Sequence, residues 1–288
     1  MKKLFSVLLA VLTTVGLAFA GSQHAEAWSK EEAIATVMAA VKAYNKSHGG
    51  TGELFAEVGD TDWWNDVIIV KGEVAGATKA LKLQNNGIEV AWRAKLSGNA
   101  VGEALIQYES RILVESGAEI RTDGLALEGN DFFITGGTIT AANAIRMNGD
   151  FLTVSGGDIT GDIYVTEAES VGIRGGTING SVSIYACRSV FSGGIVNAPL
   201  IAVRGDEVII EKGAKVTADD FKLPKGTKLV IDGKLVLPKD FDYSNWEGTV
   251  TGKNAGKLAG MYPRWWMHLP NWMQWALRYL CFGWIWMP

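Results

Sequence analysis

Cysteine is scarce in this chain, and its scarcity limits how the fold can be stabilised. Only two cysteines occur among 288 residues, Cys187 and Cys281. Small exported domains are often held by several disulfides, and two distant cysteines cannot supply such a framework. Stability must therefore come from packing, and we expect Cys187 to be a small buried residue within it.

Histidine and clustered basic residues are also in short supply. The three histidines, His24, His48 and His268, lie outside the middle of the chain, which argues against a histidine-assisted hydrolase there. No G-x-S-x-G, H-E-x-x-H, P-loop or EF-hand pattern occurs. The net charge is −4 and no stripe dense in lysine and arginine stands out, so we expect no nucleic-acid partner. The composition suggests neither a cofactor nor a metal.

Proline is rare, with 6 residues, whereas glycine is abundant, with 35. This balance favours many tight turns in a regular β architecture over a proline-rich linker. The segments ESGAEI, TGGTIT, SGGDIT, RGGTIN, SGGIVN and EKGAKV place a glycine at intervals of 20, 20, 19, 18 and 19 residues. These glycines are Gly117, Gly137, Gly157, Gly176, Gly194 and Gly213. A constant short period predicts one small unit that is stacked many times.

Each unit contains two or three short stretches of alternating apolar residues, as in strands that bury one face. Leu152 and Val154 form one such stretch before Gly157, and Ile159 begins the next. Units this short, with no helix, predict an all-β fold: a single-stranded parallel β-helix of about eight coils. Parallel connections are generally right-handed, so we expect that hand. An up-and-down antiparallel barrel would explain the alternation but not the constant glycine spacing.

Two of these runs, SGGDITGDIYV and RGGTINGSVSI, resemble the right-handed parallel β-helix proteins, which include pectin-lyase-like domains and the passenger domains of bacterial surface adhesins. They are also similar to the short-coil β-helix of the bactofilins, a bacterial scaffold family that forms polymers. The resemblance covers about 150 residues and concerns the coil type. It implies a ligand-binding surface scaffold, a polysaccharide lyase or hydrolase, or a self-assembling structural protein.

The N-terminal residues 1–27 have the features of a secretory signal peptide. Two lysines precede an apolar stretch, and small-x-small motifs ending at Ala20 and Ala27 are candidate cleavage sites. This predicts a protein that is secreted or held in the cell envelope.

The following segment, 28–50, is predicted to be a capping helix. Ser29 and Glu32 have the spacing of a capping box, and apolar residues then recur at steps of three and four. A solenoid exposes unpaired backbone at its ends, so a helix with one apolar face is expected to cover the first coil. The β-helix domain itself is expected to span 51–247, and a glycine- and lysine-bearing linker 248–262.

A corner of the repeat carries the candidates for catalysis. Pectin-lyase-like lyases hold calcium between clustered carboxylates and use an arginine as base, and this resemblance points to Asp150, Glu169 and Arg174. Asp150 and Glu169 occupy equivalent positions in successive units, so their side chains would stack about 5 Å apart and could share a cation. Short polar residues are equally typical of turns, and we favour that interpretation.

Outward-facing polar residues provide a second candidate site. They could bind a polysaccharide or another envelope component along one sheet face, or simply be solvated. They are Thr138, Thr140, Thr160, Thr177, Asn179 and Asn197. Four tryptophans near the ends of the array, Trp63, Trp64, Trp92 and Trp246, are expected to pack against the caps or to form a sugar platform.

The favoured function is a non-enzymatic, adhesin-like scaffold.

The last segment, 263–288, is unusually aromatic. On a helix its few polar residues would form one narrow stripe, and tryptophan with arginine favours a membrane interface. A helix from 271 to 288 would be roughly 27 Å long, marginal for a bilayer core of about 30 Å. We therefore expect a membrane-surface anchor, with a sorting signal or a cap on the last coil as alternatives. The anchoring residues would be Trp265, Trp266, Trp272, Trp275, Arg278, Trp284 and Trp286.

Overall fold

The computed structural model describes residues 29–84 and 87–258, in which the chain winds into a β-solenoid of about nine turns. Its one α-helix in this part, α1, spans Lys30–Asn45. The strands are β1 Thr51–Gly59, β2 Val67–Ala77, β3 Leu81–Leu83, β4 Val90–Trp92, β5 Lys95–Gly98, β6 Ala104–Val114, β7 Glu119–Arg121, β8 Leu125–Ile134, β9 Thr138–Asn148, β10 Phe151–Val154, β11 Asp158–Ile173, β12 Thr177–Asn179, β13 Val182–Phe191, β14 Ile195–Arg204, β15 Glu207–Ile210, β16 Lys215–Lys222, β17 Lys228–Ile231, β18 Lys234–Val236 and β19 Thr249–Thr251.

Strand pairing confirms the parallel β-helix. Every described pairing is parallel except that of β1 with β2, which form an antiparallel hairpin at the start. The alternative of an antiparallel barrel is therefore wrong. The solenoid has about nine turns, close to the eight expected, and its first row, in β2, lacks the glycine signature.

The solenoid has three faces, each with an inward ladder of apolar residues. On face A the ladder is Val70, Trp92, Val114, Ile134, Val154, Ile173, Phe191, Ile210 and Ile231. On face B it is Val74, Leu96, Ile120, Ile139, Ile159, Ile178, Val196, Val216 and Leu235. On face C it is Leu81, Ile106, Leu127, Ile145, Ile163, Val182, Ile201 and Phe221. The three ladders meet in one continuous core.

The N-terminal end is covered by α1 and the hairpin. The capping box is present, since the Ser29 hydroxyl accepts from the Glu32 N–H and the Glu32 carboxylate accepts from the Ser29 N–H. One helix face, with Ala33, Val37 and Val41, is buried in the same core as the coils. Helix α1 contacts β1 and β3, so it covers the first coil as expected.

Near the C-terminal end, aromatic side chains from the segment 238–248 form a cap on the last row of face C. Trp246 is buried, donates from Nε1 to the carbonyl of Phe221 at 2.6 Å, and packs against Phe241 and Tyr243. Burial raises the pKa of the Tyr243 hydroxyl to about 12. The solenoid continues into the segment expected to be a linker, 248–262, because β19 pairs with β17.

The three tryptophans nearer the N-terminus have different surroundings from Trp246. Trp64 packs edge to face on Phe133, with ring centroids 5.2 Å apart, and covers an apolar patch on the outside of face A. Trp92 lies inside the core, whereas Trp63 is 53 % exposed. The expectation that these residues pack against the caps is therefore wrong for Trp92.

Candidate functional site

The corner that was a candidate for calcium binding or catalysis carries Asp150 and Glu169 on neighbouring coils. The Glu169 N–H donates to the carbonyl of Asp150 at 3.0 Å, so the two residues lie one above the other. The carboxylate of Asp131 accepts from the N–H groups of Asp150 and Phe151 at 3.0 and 2.9 Å. Hydrogen bonds of this kind are what a turn requires of short polar residues.

Arg174 lies at the far end of the same strand segment. Five residues of extended chain separate its backbone from that of Glu169, or about 16 Å. Within residues 29–84 and 87–258, no three or more histidine, cysteine, aspartate or glutamate side chains are placed to hold a metal ion. The backbone of Arg174 is therefore remote from the stacked pair Asp150 and Glu169, whereas its side chain extends back over Gly172. Cys187 is exposed, which corrects the expectation that it is buried.

The predicted polar face lies on the outside of face B, where its six residues form two adjacent columns. Thr138 and Thr177 belong to one column, with Asp158 between them. The other column runs, in order, through Thr140, Thr160, Asn179 and Asn197. Asn197 Nδ2 donates to Asn179 Oδ1 at 3.0 Å, so part of the hydrogen-bonding capacity joins neighbouring coils. The columns form a flat surface without aromatic side chains.

A concave site lies on the outside of face C. One outward column there contains, on four successive coils, Tyr164, Ser183, Ala202 and Lys222. Because two small residues lie between two large ones, the column has a notch with Ser183 and Ala202 as its floor. The notch is part of a groove of about 600 Å³, which we call the face C groove.

Tyrosine and arginine form one side of this groove. The next outward column carries Tyr185 and Arg204 as register partners, and the Arg204 guanidinium carbon lies 4.9 Å from the centre of the Tyr185 ring. This is a cation–π contact, which joins the two side chains beside the notch. Tyr164 and Tyr185 remain 51 % and 43 % exposed, so both rings are accessible to a ligand.

The end of the groove nearer the C-terminus of the solenoid, which we call its upper end, is formed by the C-terminal cap. The cap residues that line it are Phe241, Asp242 and Glu247. The cap is fixed there because the Glu247 N–H donates to the carbonyl of Leu223 at 2.8 Å. Hydrogen bonds from the backbone N–H and the hydroxyl of Ser244 lower the pKa of Asp242 and occupy both of its oxygens.

Four charged side chains of the groove are available to a ligand. Asp220 and Glu247 are acceptors, and Lys222 and Arg204 are donors. Among the described residues, none of the four side chains forms an ion pair or hydrogen bond. Donors, acceptors and aromatic rings thus converge on a floor of small residues, as in binding sites for small polar molecules.

The sequence contained part of this site. The alternation in Ile163-Tyr164-Val165 implies that Tyr164 faces outward, and the same pattern applies to Tyr185. Sequence reasoning missed the groove because its notch depends on the register between coils and its upper end on a segment without repeat pattern.

Comparison with protein-family models, with curated proteins and with solved structures gives no match for this chain. The predicted signal peptide at 1–27 and the aromatic tail at 263–288, with its seven predicted anchoring residues, lie outside the described residues. None of the described helices is long and apolar enough to cross a membrane.

Proposed function

We propose that this protein is an exported, envelope-associated scaffold that binds carbohydrate in the face C groove without catalysing a reaction. The observation that carries the proposal is the groove itself, with Tyr164 and Tyr185 exposed beside a floor of Ser183 and Ala202. The rigid coils hold these side chains in place, so little ordering is needed when a ligand binds.

The chemistry of the groove suits a sugar. The apolar face of a pyranose ring packs well on an aromatic ring, and Tyr164 and Tyr185 offer two such rings. Sugar hydroxyls donate and accept at the same time, so they can pair with the carboxylates of Asp220 and Glu247 and with the cations of Lys222 and Arg204. With Asp242, the groove has three carboxylates against two cations, so its charges nearly balance, which favours a ligand rich in hydroxyls over a strongly charged one.

Binding is favoured over the alternatives by two features. The lyase or hydrolase alternative needs Asp150, Glu169 and Arg174 at one point, and the backbone of Arg174 lies five residues along the chain from the stacked pair. The bactofilin-like alternative needs open coil ends, whereas α1 packs on the first coil and Trp246 packs on Phe221, the last residue of the face C ladder. A displayed binding surface uses the coils without requiring either property.

The first test compares groove variants in glycan binding. The full chain would be screened against immobilised plant and bacterial polysaccharides, and the best ligand titrated by calorimetry. We expect the double variant Tyr164→Ala/Tyr185→Ala to weaken binding about tenfold or more, since each aromatic contact contributes about 0.5–1.5 kcal/mol and 1.4 kcal/mol is a factor of ten.

Two control variants make this test specific. Trp63→Ala removes an equally exposed aromatic residue outside the groove and should leave the affinity unchanged. Thr160→Ala/Asn179→Ala alters the flat polar columns of face B. If the face B variant loses binding and the tyrosine variant does not, the ligand binds to face B and the groove proposal is wrong.

The envelope association is tested separately by truncating the tail. Cells expressing the full chain or a chain that ends at Gly260 would be fractionated and washed first with high salt and then with detergent. We expect the full chain to require detergent and the truncated chain to be released without it, because the tryptophan-rich tail favours a membrane interface. Release of both forms in salt would contradict the anchor and favour a cap or a removed signal.

A further inference from the structure

The notch has a limited length along the solenoid axis. Its floor lies between Tyr164 and Lys222, which are three strand spacings apart in the same column. At about 4.8 Å for each spacing, the two side chains arise about 14 Å apart. Below Tyr164 the same column continues with Arg146, another long side chain, so the notch does not extend in that direction.

The notch is also bounded at one side and at its upper end. Tyr185 and Arg204 rise from the neighbouring column and support each other through their cation–π contact. Above Lys222 the cap contributes Phe241, and this cap is pinned by the buried hydrogen bond from Trp246. A polymer laid along the axis would meet Tyr164 or the cap, and one laid across the strands would meet Tyr185 and Arg204.

Given the proposed function, on which this step depends, we infer that the face C groove binds the end of a glycan chain or a short oligosaccharide, and not the interior of a long polymer. A cavity of about 600 Å³ matches sites that enclose small molecules. The terminal sugars enter the notch, and the rest of the chain leads away from the side opposite Tyr185 and Arg204.

Length-dependent binding tests this inference. The full chain would be titrated with oligosaccharides of two to six units from cellulose, chitin and pectin, and with the parent polymers. We expect the affinity to reach its full value by about three units and then to change less than about twofold. Polymers should bind with the same dissociation constant when concentration is counted as chain ends.

A variant that opens the side of the notch gives an independent readout. Arg204→Ser removes the part of that side nearer the C-terminal cap. The affinity for hexasaccharides should then rise about fivefold relative to the affinity for disaccharides, even if both affinities fall. Thermal unfolding would show that this exposed substitution leaves the fold intact. An unchanged length profile would overturn the role of Arg204 as a barrier.

The outcomes of these titrations distinguish recognition of chain ends from carbohydrate binding in general. Wild-type affinity that rises steadily up to six units, or polymers that bind at interior units, would overturn recognition of chain ends while leaving carbohydrate binding in place. Absence of binding to every oligosaccharide and polymer would overturn the proposed function and this inference with it.

Discussion

Replacing Trp92 by alanine is expected to lower the free energy of unfolding by about 3–5 kcal/mol, the range for large aromatic side chains removed from a core. Trp92 is fully buried in the face A ladder, between Val70 and Val114. Its neighbours are held by the strand register on both sides, so they cannot collapse into the space that the indole leaves.

The indole of Trp92 also carries a buried N–H that has no hydrogen-bond partner among the residues that the structure describes. Such a group destabilises a fold by about 1–3 kcal/mol relative to a satisfied one. Trp92→Phe removes this N–H, which stabilises the fold, and also removes part of the buried ring, which destabilises it. We expect this variant to remain within about 1 kcal/mol of the wild type.

Urea unfolding followed by circular dichroism would measure both Trp92 variants beside Trp63→Ala. The exposed Trp63 should contribute less than about 0.5 kcal/mol. If Trp92→Phe were as damaging as Trp92→Ala, the indole N–H would have to be satisfied in solution, and the packing account would need a polar partner for Trp92.

Replacing Gly157 by alanine is expected to destabilise the solenoid by about 3–4 kcal/mol, from two causes that add. Gly157 has φ +80°, a left-handed conformation that L-residues adopt at a penalty of about 1–2 kcal/mol. An added Cβ would also lie 2.7 Å from the carbonyl oxygen of Gly136 on the preceding coil. Backbone cannot move aside there without breaking the ladder between coils.

Gly117 provides a control, although its turn is one residue longer, so that Ala118 takes the place equivalent to Gly157 in hydrogen bonding to the next coil. The φ of Gly117 is +88°, but a Cβ added there meets no described residue within 4 Å. Gly117→Ala should therefore lower the free energy of unfolding by only about 1–2 kcal/mol, less than Gly157→Ala, because only the backbone conformation is penalised. Equal losses in the two variants would show that close stacking of coils does not explain the repeated glycine.

These two glycines show how much of the fold the sequence predicts. The constant spacing predicts a stacked β unit, and the left-handed φ at Gly117, Gly137, Gly157, Gly176 and Gly194 explains why glycine recurs. Gly213 shares the spacing but lacks the positive φ. A Cβ on it would still lie 2.4 Å from the carbonyl oxygen of Ser192, so close stacking alone requires glycine at that position.

The candidate sites depended more strongly on tertiary structure. Position within the repeat was enough to stack Asp150 on Glu169, because equivalent residues of successive coils become neighbours. It could not place Arg174, since distance along a rigid strand separates residues that are close in sequence. The expectation that Cys187 is buried followed from the usual burial of free cysteine, and the structure shows that residue exposed.

The sequence by itself determined the coil, its period, the inward ladders and the N-terminal helix, because each follows from local backbone preference and apolar alternation. Only the tertiary structure decided where the solenoid ends and where it is concave. The face C groove exists because Ser183 and Ala202, 19 residues apart, lie side by side between Tyr164 and Lys222, and because an irregular segment returns to cover the last coil. Contacts between coils and caps create that shape, and they are absent from any single repeat.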